Sequence, residues 1–309
     1  MGHVPVMLDK ALEFLQIQSS GIYVDGTLGG GGHSQAIAKR LSVGHLYAFD
    51  RDHAAIERGY ERLRPFLDNI SIIHDNFENM SSQLHAFGVE GVDGILLDLG
   101  VSSFHFDDAA RGFSYRHDAP LDMRMDVSRA FSAYELINTY SVDELTRVFK
   151  RYGEEPFARP IAKNIVKTRE DAPVKTTEQL VQIIKGSLPQ KVLRKKGHPA
   201  KKVFQALRIE VNDELETLKS TLKQALDLLK PNGRLVVITF HSLEDRIVKQ
   251  IFKDASTVDH PKDLPTMPQT TPDFNVLHRK VIVPSETEIE ENPRSKSAKL
   301  RAIERVNKN

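Results

Sequence analysis

The sequence predicts an α/β protein: a Rossmann-like parallel sheet covered by helices on both faces and interrupted by an inserted helical domain. Four short runs are apolar almost throughout, Ile22-Tyr-Val-Asp25, His45-Leu-Tyr-Ala-Phe-Asp50, Ser71-Ile-Ile-His74 and Val92-Asp-Gly-Ile-Leu-Leu-Asp98. They alternate with helical periodicity, which is the pattern of strands buried on both faces of a parallel sheet. From about 112 to 202 the alternation stops and only helical periodicity remains.

Each element follows from its residues. The first run ends in an acid and then glycines, and 34–41 has helical character, so the unit reads strand, tight loop, helix. The unit repeats with the second run, and Asp52 can cap a helix over 53–64. After 202 the α/β pattern resumes with an amphipathic helix over 203–229, a turn at Lys230-Pro-Asn-Gly233 and an apolar strand over 234–240. Ser242 opens another helix, 253–275 is rich in Pro, Asp and Thr and reads as loop, and 276–283 reads as a last strand. The expected domains are 1–111 with 203–309 as one α/β ligand-binding domain, and 112–202 as the insert.

Composition narrows the chemistry. The chain has 309 residues, 40% hydrophobic and 28% charged, the balance of a folded globular protein rather than a disordered one. It has no cysteine, which removes disulfides, iron–sulfur clusters and thiolate nucleophiles together. The start lacks a basic flank and apolar run, and no stretch of about 18 apolar residues is present, so no membrane association and a cytoplasmic location are expected. The formal net charge of +1 gives no global field toward nucleic acid, which leaves local patches. Two candidates are 191–202, with Lys191, Arg194, Lys195, Lys196, Lys201 and Lys202, and 294–308, with Arg294, Lys296, Lys299, Arg301 and Arg305. Either reads equally as a solvated helix face or a loose tail. No cluster has metal-ligand spacing, so no metal is expected.

The first turn, Asp25-Gly-Thr-Leu-Gly-Gly-Gly-Gly-His33, lets the backbone come close to a ligand at the carboxyl edge of the sheet. Asp25 sharpens the reading. A dinucleotide sets its pyrophosphate on the helix N-terminus, where an adjacent carboxylate repels it. S-adenosylmethionine instead presents a cationic amino group and a sulfonium, which an acid favours; the alternative is that Asp25 only caps the turn. Asp50 ends the second strand 25 residues later, close to the spacing of about 20 at which an acid meets ribose hydroxyls. Phe77 follows the third strand, where an aromatic can lie against adenine or serve as a core anchor. Asp98 ends the fourth strand at the same edge.

Without cysteine the covalent route to a pyrimidine carbon is closed, and a heteroatom acceptor remains. An exocyclic amine has its lone pair delocalised into the ring, so a site must hold it in line with the methyl group and accept hydrogen bonds from its N–H. Acceptors for that role lie in Asp98-Leu-Gly-Val-Ser-Ser103, through Asp98 and Ser102, and in Phe240-His-Ser-Leu-Glu-Asp-Arg246, through His241 and Ser242. Ser242 and Asp245 also fit an ordinary capping box, and His241, just ahead of it, is freer to function.

At this point the residues resemble one family, the bacterial 16S ribosomal RNA cytosine-N4 methyltransferases of the RsmH or MraW kind. The resemblance runs nearly end to end. It rests on His3-Val-Pro-Val-Met-Leu8, the glycine turn through Ser34, Asp98-Leu-Gly-Val-Ser-Ser103 and Arg111-Gly-Phe-Ser114. It continues through Leu121-Asp-Met-Arg-Met-Asp126, Tyr152-Gly-Glu-Glu155, His198-Pro-Ala-Lys201, Phe204-Gln-Ala-Leu-Arg-Ile209, Val211-Asn-Asp-Glu-Leu215 and Phe240-His-Ser-Leu-Glu-Asp-Arg246. It implies a class I methyltransferase sheet, S-adenosylmethionine as cofactor, and a cytidine in the decoding region of 16S ribosomal RNA, or of the small ribosomal subunit, as target. It implies cofactor contacts at Gly31, Gly32, His33, Asp50, Phe77, Asp98 and the position of His105. There the chain departs, with Phe104-His105-Phe106 where the family has Pro-Gln-Leu. It further implies that the helical insert helps to bind the RNA, whereas from the residues alone Asp122, Arg124 and Asp126 read as a surface ion-pair cluster. A homodimer is left open.

Other readings stay in view. A DNA amino-methyltransferase typically carries Asp/Asn-Pro-Pro-Tyr after the fourth strand, where this chain has Asp98-Leu-Gly-Val; a small-molecule methyltransferase is the second alternative. A nicotinamide-dependent oxidoreductase is opposed by Asp25, and an inactive RNA-binding module would leave the acid-lined rim without use.

Overall fold

The computed structural model describes residues 4–100, 109–257 and 271–308. The chain divides into two units, one formed by 1–100 with 215–309 and the other by 101–214.

The first unit is built on a seven-stranded sheet of order β3-β2-β1-β4-β5-β7-β6. Its first elements are α1 (Leu8–Leu15), β1 (Ile22–Asp25), α2 (Gly32–Ala38), β2 (His45–Asp50), α3 (His53–Leu63), β3 (Ile70–His74), α4 (Met80–Ala86) and β4 (Val92–Asp98). β1 lies between β2 and β4 and is parallel to both. The strands are apolar on both faces because both faces are covered. Leu46, Ala48 and Leu96 enter a core with Leu12 and Leu15 of α1, Ile37 of α2 and Leu63 of α3. Their neighbours Tyr47, Phe49, Ile95 and Leu97 enter the opposite core with Met80 and Leu84 of α4. That period of two follows from the pleat. Chain order reverses between β1 and β4, and in such sheets the ligand crevice lies at the carboxyl ends beside that reversal.

The second unit holds α5 (Ala133–Thr139), α6 (Val142–Gly153), α7 (Ala158–Asp171), α8 (Thr177–Gly186), α9 (Gln190–Leu193) and α10 (Lys201–Asn212). Serine and threonine capping boxes at Ser132, Ser141 and Thr176 start three of them. Their apolar faces form one core, including Leu136, Phe149, Ile161, Leu180, Phe204 and Leu207. The helix expected over 203–229 is two helices, because Asp213 takes a left-handed φ of 52° and ends the first. α10 packs into the core of the second unit. Leu121 to Asp126 is more than a surface ion-pair cluster. Leu121, Met123 and Met125 are core residues, and the Asn212 amide donates to the Met123 carbonyl at 2.8 Å while accepting from Met125 N at 2.8 Å. Arg124 grips Asp122 bidentately at 2.6 and 2.8 Å.

Back in the first unit come α11 (Glu214–Leu228), β5 (Leu229–Thr239), α12 (Ser242–Ala255), β6 (Phe274–Val276), α13 (Glu286–Glu291) and β7 (Lys299–Arg305). The expected turn at 230–233 is a bulge inside β5: Val92 pairs with Leu229 and Gly94 already pairs with Arg234. The strand expected over 276–283 lies earlier, at Phe274–Val276, and the chain after it bonds to β7 through Leu277 N on the Ala302 carbonyl and through the Ile282–Leu300 bridge. The segment read as a basic tail is instead β7, antiparallel to β5 and β6. Arg301 is spent on a 2.7 Å ion pair with Asp245, and Arg305 on the Leu229 carbonyl at 2.7 Å. Among the described residues no helix is long and apolar enough to cross a membrane.

Candidate functional site

The rim of the sheet beside the reversal is assembled from the ends of β1, β2, β3 and β4. After β1 the chain turns through Gly29 and Gly31, both left-handed with φ of 50° and 71°, which only glycine adopts readily. A Cβ on Gly31 would meet Arg62 Cδ at 3.3 Å, and one on Gly32 would meet Pro5 at 3.0 Å, so the loop lies tightly against its surroundings.

Three acids organise this loop. Asp25 is fully buried; one carboxylate oxygen accepts from Thr27 N at 3.0 Å and the other from Ser34 Oγ at 2.6 Å. Its oxygens are committed to the turn, so toward a ligand it offers charge rather than contact. Asp50 accepts from Gly29 N at 2.8 Å and from Asp52 N at 2.9 Å, tying the loop to the end of β2. Asp98 is fixed through its backbone, whose N–H donates to Thr27 Oγ1 at 2.7 Å. Its Oδ1 is buried and has no hydrogen-bond partner among the described residues. Burial pushes the Asp98 carboxyl up to about 6; His33 and the Gly100 N–H pull it down, while the charges of Asp25 and Glu244 raise it further.

His33 is 5% exposed. Its Nε2 is 3.0 Å from the Val6 carbonyl, and its Nδ1 is 3.6 Å from Asp98 Oδ2. Phe77 is half-buried and packed partly against the core under the sheet, with its Cβ 3.3 Å from where a Cβ of Gly26 would stand.

At the end of β5 the helix begins at Ser242 as expected, but its cap is a different residue. His241, not Ser242, is the N-cap of α12; its Nδ1 accepts from Glu244 N at 3.5 Å, and Glu244 closes the box by accepting from the Phe240 and His241 amides. The expectation that His241 is free of the cap is thereby corrected: a carboxylate at 244 answers the cap, because Asp245 is taken by Arg301 and Lys299. His241 Nε2 lies 3.0 Å from Glu244 Oε1 but off the hydrogen-bonding direction, and it is buried without a hydrogen-bond partner. Ser242, the first helical residue, is exposed. Leu99 N donates to the Ile238 carbonyl at 2.9 Å, so the ends of β4 and β5 are joined where both acceptor segments begin. Ser102 and His105 lie outside the described residues.

Sequence reasoning missed three supports. Arg62, from α3, donates to the Gly30 carbonyl at 2.9 Å and holds the glycine loop from outside. Thr27 links the loop to Asp98. The segment 4–7 supplies the carbonyl on His33 and is itself held where Glu288 accepts from Met7 N at 2.6 Å. Their partners are distant in sequence, so local pattern carried no sign of them beyond the Val-Pro-Val-Met motif.

The residues fit a cationic, nucleoside-bearing ligand. A glycine cradle allows backbone approach, Asp50 closes β2 at the carboxyl rim, and a buried carboxylate oxygen lacks a donor. Comparison with known proteins agrees in kind. The family model described as the MraW methylase family matches residues 1–306. The ribosomal RNA small subunit methyltransferase H of Streptococcus pyogenes serotype M4 is 49% identical over 310 residues, covering 99% of this chain and 98% of the relative. Among solved structures, an rRNA methylase from Streptococcus thermophilus aligns over 99% of both chains at 14% identity and TM-score 0.45. A Streptococcus mutans chain in complex with SAH aligns over 98% of this chain and all of that one, at 13% identity and TM-score 0.43. At those scores the structural likenesses carry no weight beside the sequence match.

Proposed function

The chain belongs to the MraW methylase family, and from that premise we propose that it methylates N4 of a cytidine in the decoding region of 16S ribosomal RNA. It is an S-adenosylmethionine-dependent ribosomal RNA methyltransferase. When bound, S-adenosylmethionine supplies an electrophilic methyl group on a sulfonium. Gly31 and Gly32 admit the cofactor to the backbone, Asp50 takes ribose hydroxyls, Phe77 offers a face for the adenine, and the negative field of Asp25 and Asp98 favours the cation. His33 and His105 complete the contacts that family membership suggests. Asp98 accepts a hydrogen bond from the cytidine amino group at its open Oδ1, which localises the amine lone pair for attack. His241 and Ser242 at the β5 end are further acceptors for the amine, and Ser102 is retained as an acceptor expected from its motif. Exposed Lys191, Arg194, Lys195 and Lys196 of the insert contact RNA phosphates.

The observation that carries this reading is Asp98 Oδ1, an acceptor left open at the acid rim of a whole-chain family match. The test is mass-spectrometric mapping of methylated nucleosides after incubating the purified protein with isotope-labelled S-adenosylmethionine and either naked 16S RNA or assembled small subunits. N4-methylcytidine is the expected product. Label on a ring carbon, on another base, or on neither substrate overturns the reading.

A further inference from the structure

The methylated amine must lose a proton, and a partner for that proton is built behind Asp98. A backbone carbonyl only accepts, so the 3.0 Å contact with Val6 O places the hydrogen of His33 on Nε2. The other ring nitrogen, Nδ1, then turns its lone pair toward Asp98 Oδ2 at 3.6 Å. That anchor is held in turn by Glu288 on Met7 N, and the ring is buried, so its orientation is fixed from outside the pocket. Two lone pairs facing each other leave room for one proton between them. Asp98 thus has one oxygen buried without a hydrogen-bond partner and the other facing a nitrogen whose tautomer the Val6 carbonyl sets.

We propose that His33 is the positioning residue that makes Asp98 the proton acceptor of methyl transfer, by holding Nδ1 ready to receive the proton from the carboxyl group. The inference rests on the reading of Asp98 as the group that contacts the amine. After the methyl group has joined nitrogen, an N–H bond breaks with its electron pair remaining on nitrogen, and an O–H bond forms at Asp98 Oδ1. A half-turn of the carboxyl group brings that hydrogen to Nδ1. The dyad then holds one proton more than before and the amine is neutral.

The groups facing the dyad are Asp25 from the β1 end and Glu244 from α12. Both are acids, and both favour retention of a proton between Asp98 and His33.

His33→Gln separates anchoring from proton holding, since its amide can still donate to the Val6 carbonyl while offering no basic nitrogen to Asp98. In wild type, single-turnover methylation should rise with pH as the dyad empties. In His33→Gln the single-turnover rate at saturating S-adenosylmethionine should fall by about a hundredfold or more, with the acid limb displaced. A rate within about threefold of wild type with an unmoved limb overturns the proposal. Nitrogen-15 NMR of the ligand-free wild type reads the tautomer without any activity: a His33 ring protonated on Nε2 at high pH is expected, and one protonated on Nδ1 overturns the proposal even if the variant fails to fold. Loss of cytidine methylation in wild type would remove the functional reading while leaving the NMR result standing.

Discussion

Asp98→Asn should make the protein more stable and much less active, and the gain should depend on pH in a way fixed by the site. The carboxyl rises from 3.8 to about 6 on folding, chiefly because it is buried. The folded state therefore holds this proton more tightly than the unfolded chain, and the contribution of Asp98 to stability is best below the unfolded value. It is lost as pH rises from about 4 to about 6 and is constant above that. At about 1.4 kcal/mol per pH unit, the displacement corresponds to about 3 kcal/mol of destabilisation at neutral pH. Asparagine imitates the protonated acid, with an N–H that can face His33 Nδ1. The variant should match wild type near pH 4 and exceed it by up to about 3 kcal/mol near pH 8, a rise in melting temperature on the order of 5 °C or more. Urea unfolding of both proteins across that range measures it. A difference that does not vary with pH, or a variant weaker than wild type near pH 8, refutes the reasoning. Single-turnover methylation should fall by about a hundredfold or more in the same variant.

Asp50→Ala removes the acceptor of Gly29 N together with the group placed for ribose hydroxyls, and should weaken S-adenosylmethionine binding at least about tenfold by calorimetry; unchanged affinity in a folded variant removes Asp50 from the site. Reversing Lys191, Lys195 and Lys196 to glutamate should flatten the salt dependence of RNA binding by roughly one in log–log slope per lost phosphate contact, with S-adenosylmethionine affinity untouched, and an unaltered slope would assign these lysines to solvent. Asp245→Ala leaves Arg301, 11% exposed, without its carboxylate. It should cost about 3 kcal/mol in unfolding measurements, and a loss below about 1 kcal/mol would show that water replaces the pair.

The parallel half of the sheet was legible because each of its strands is apolar on both faces and ends in a residue of chemical interest: Asp25, Asp50 and Asp98 close β1, β2 and β4. β7 was not. Lys299-Leu-Arg-Ala-Ile-Glu-Arg305 mixes charges with small apolar runs, and its arginines bond to Asp245 and to the Asp227 and Leu229 carbonyls, far away in the chain. The α12 cap was misread for a related reason. Ser-x-x-Asp and His-x-x-Glu are offset by one residue, and the tie is broken by the Asp245–Arg301 pair, which no local pattern contains. Ser102 and His105 stay as expectations from family resemblance.

Asp25 gives the clearest case of a right residue with an incomplete role. Its position pointed to a cationic ligand, yet both of its oxygens are held by Thr27 and Ser34. What remains is its charge, and that charge acts on Asp98, where it joins Glu244 in opposing ionisation. Three carboxylates gathered around one buried point are unfavourable in the ligand-free protein. A cation among them relieves the repulsion, so the same arrangement that makes Asp98 reluctant to ionise makes the ionised rim attractive to a positively charged methyl donor. Once the methyl has left and the sulfur is neutral, that attraction weakens and Asp98 regains its preference for a proton. Charge placement alone therefore orders donor capture before proton uptake.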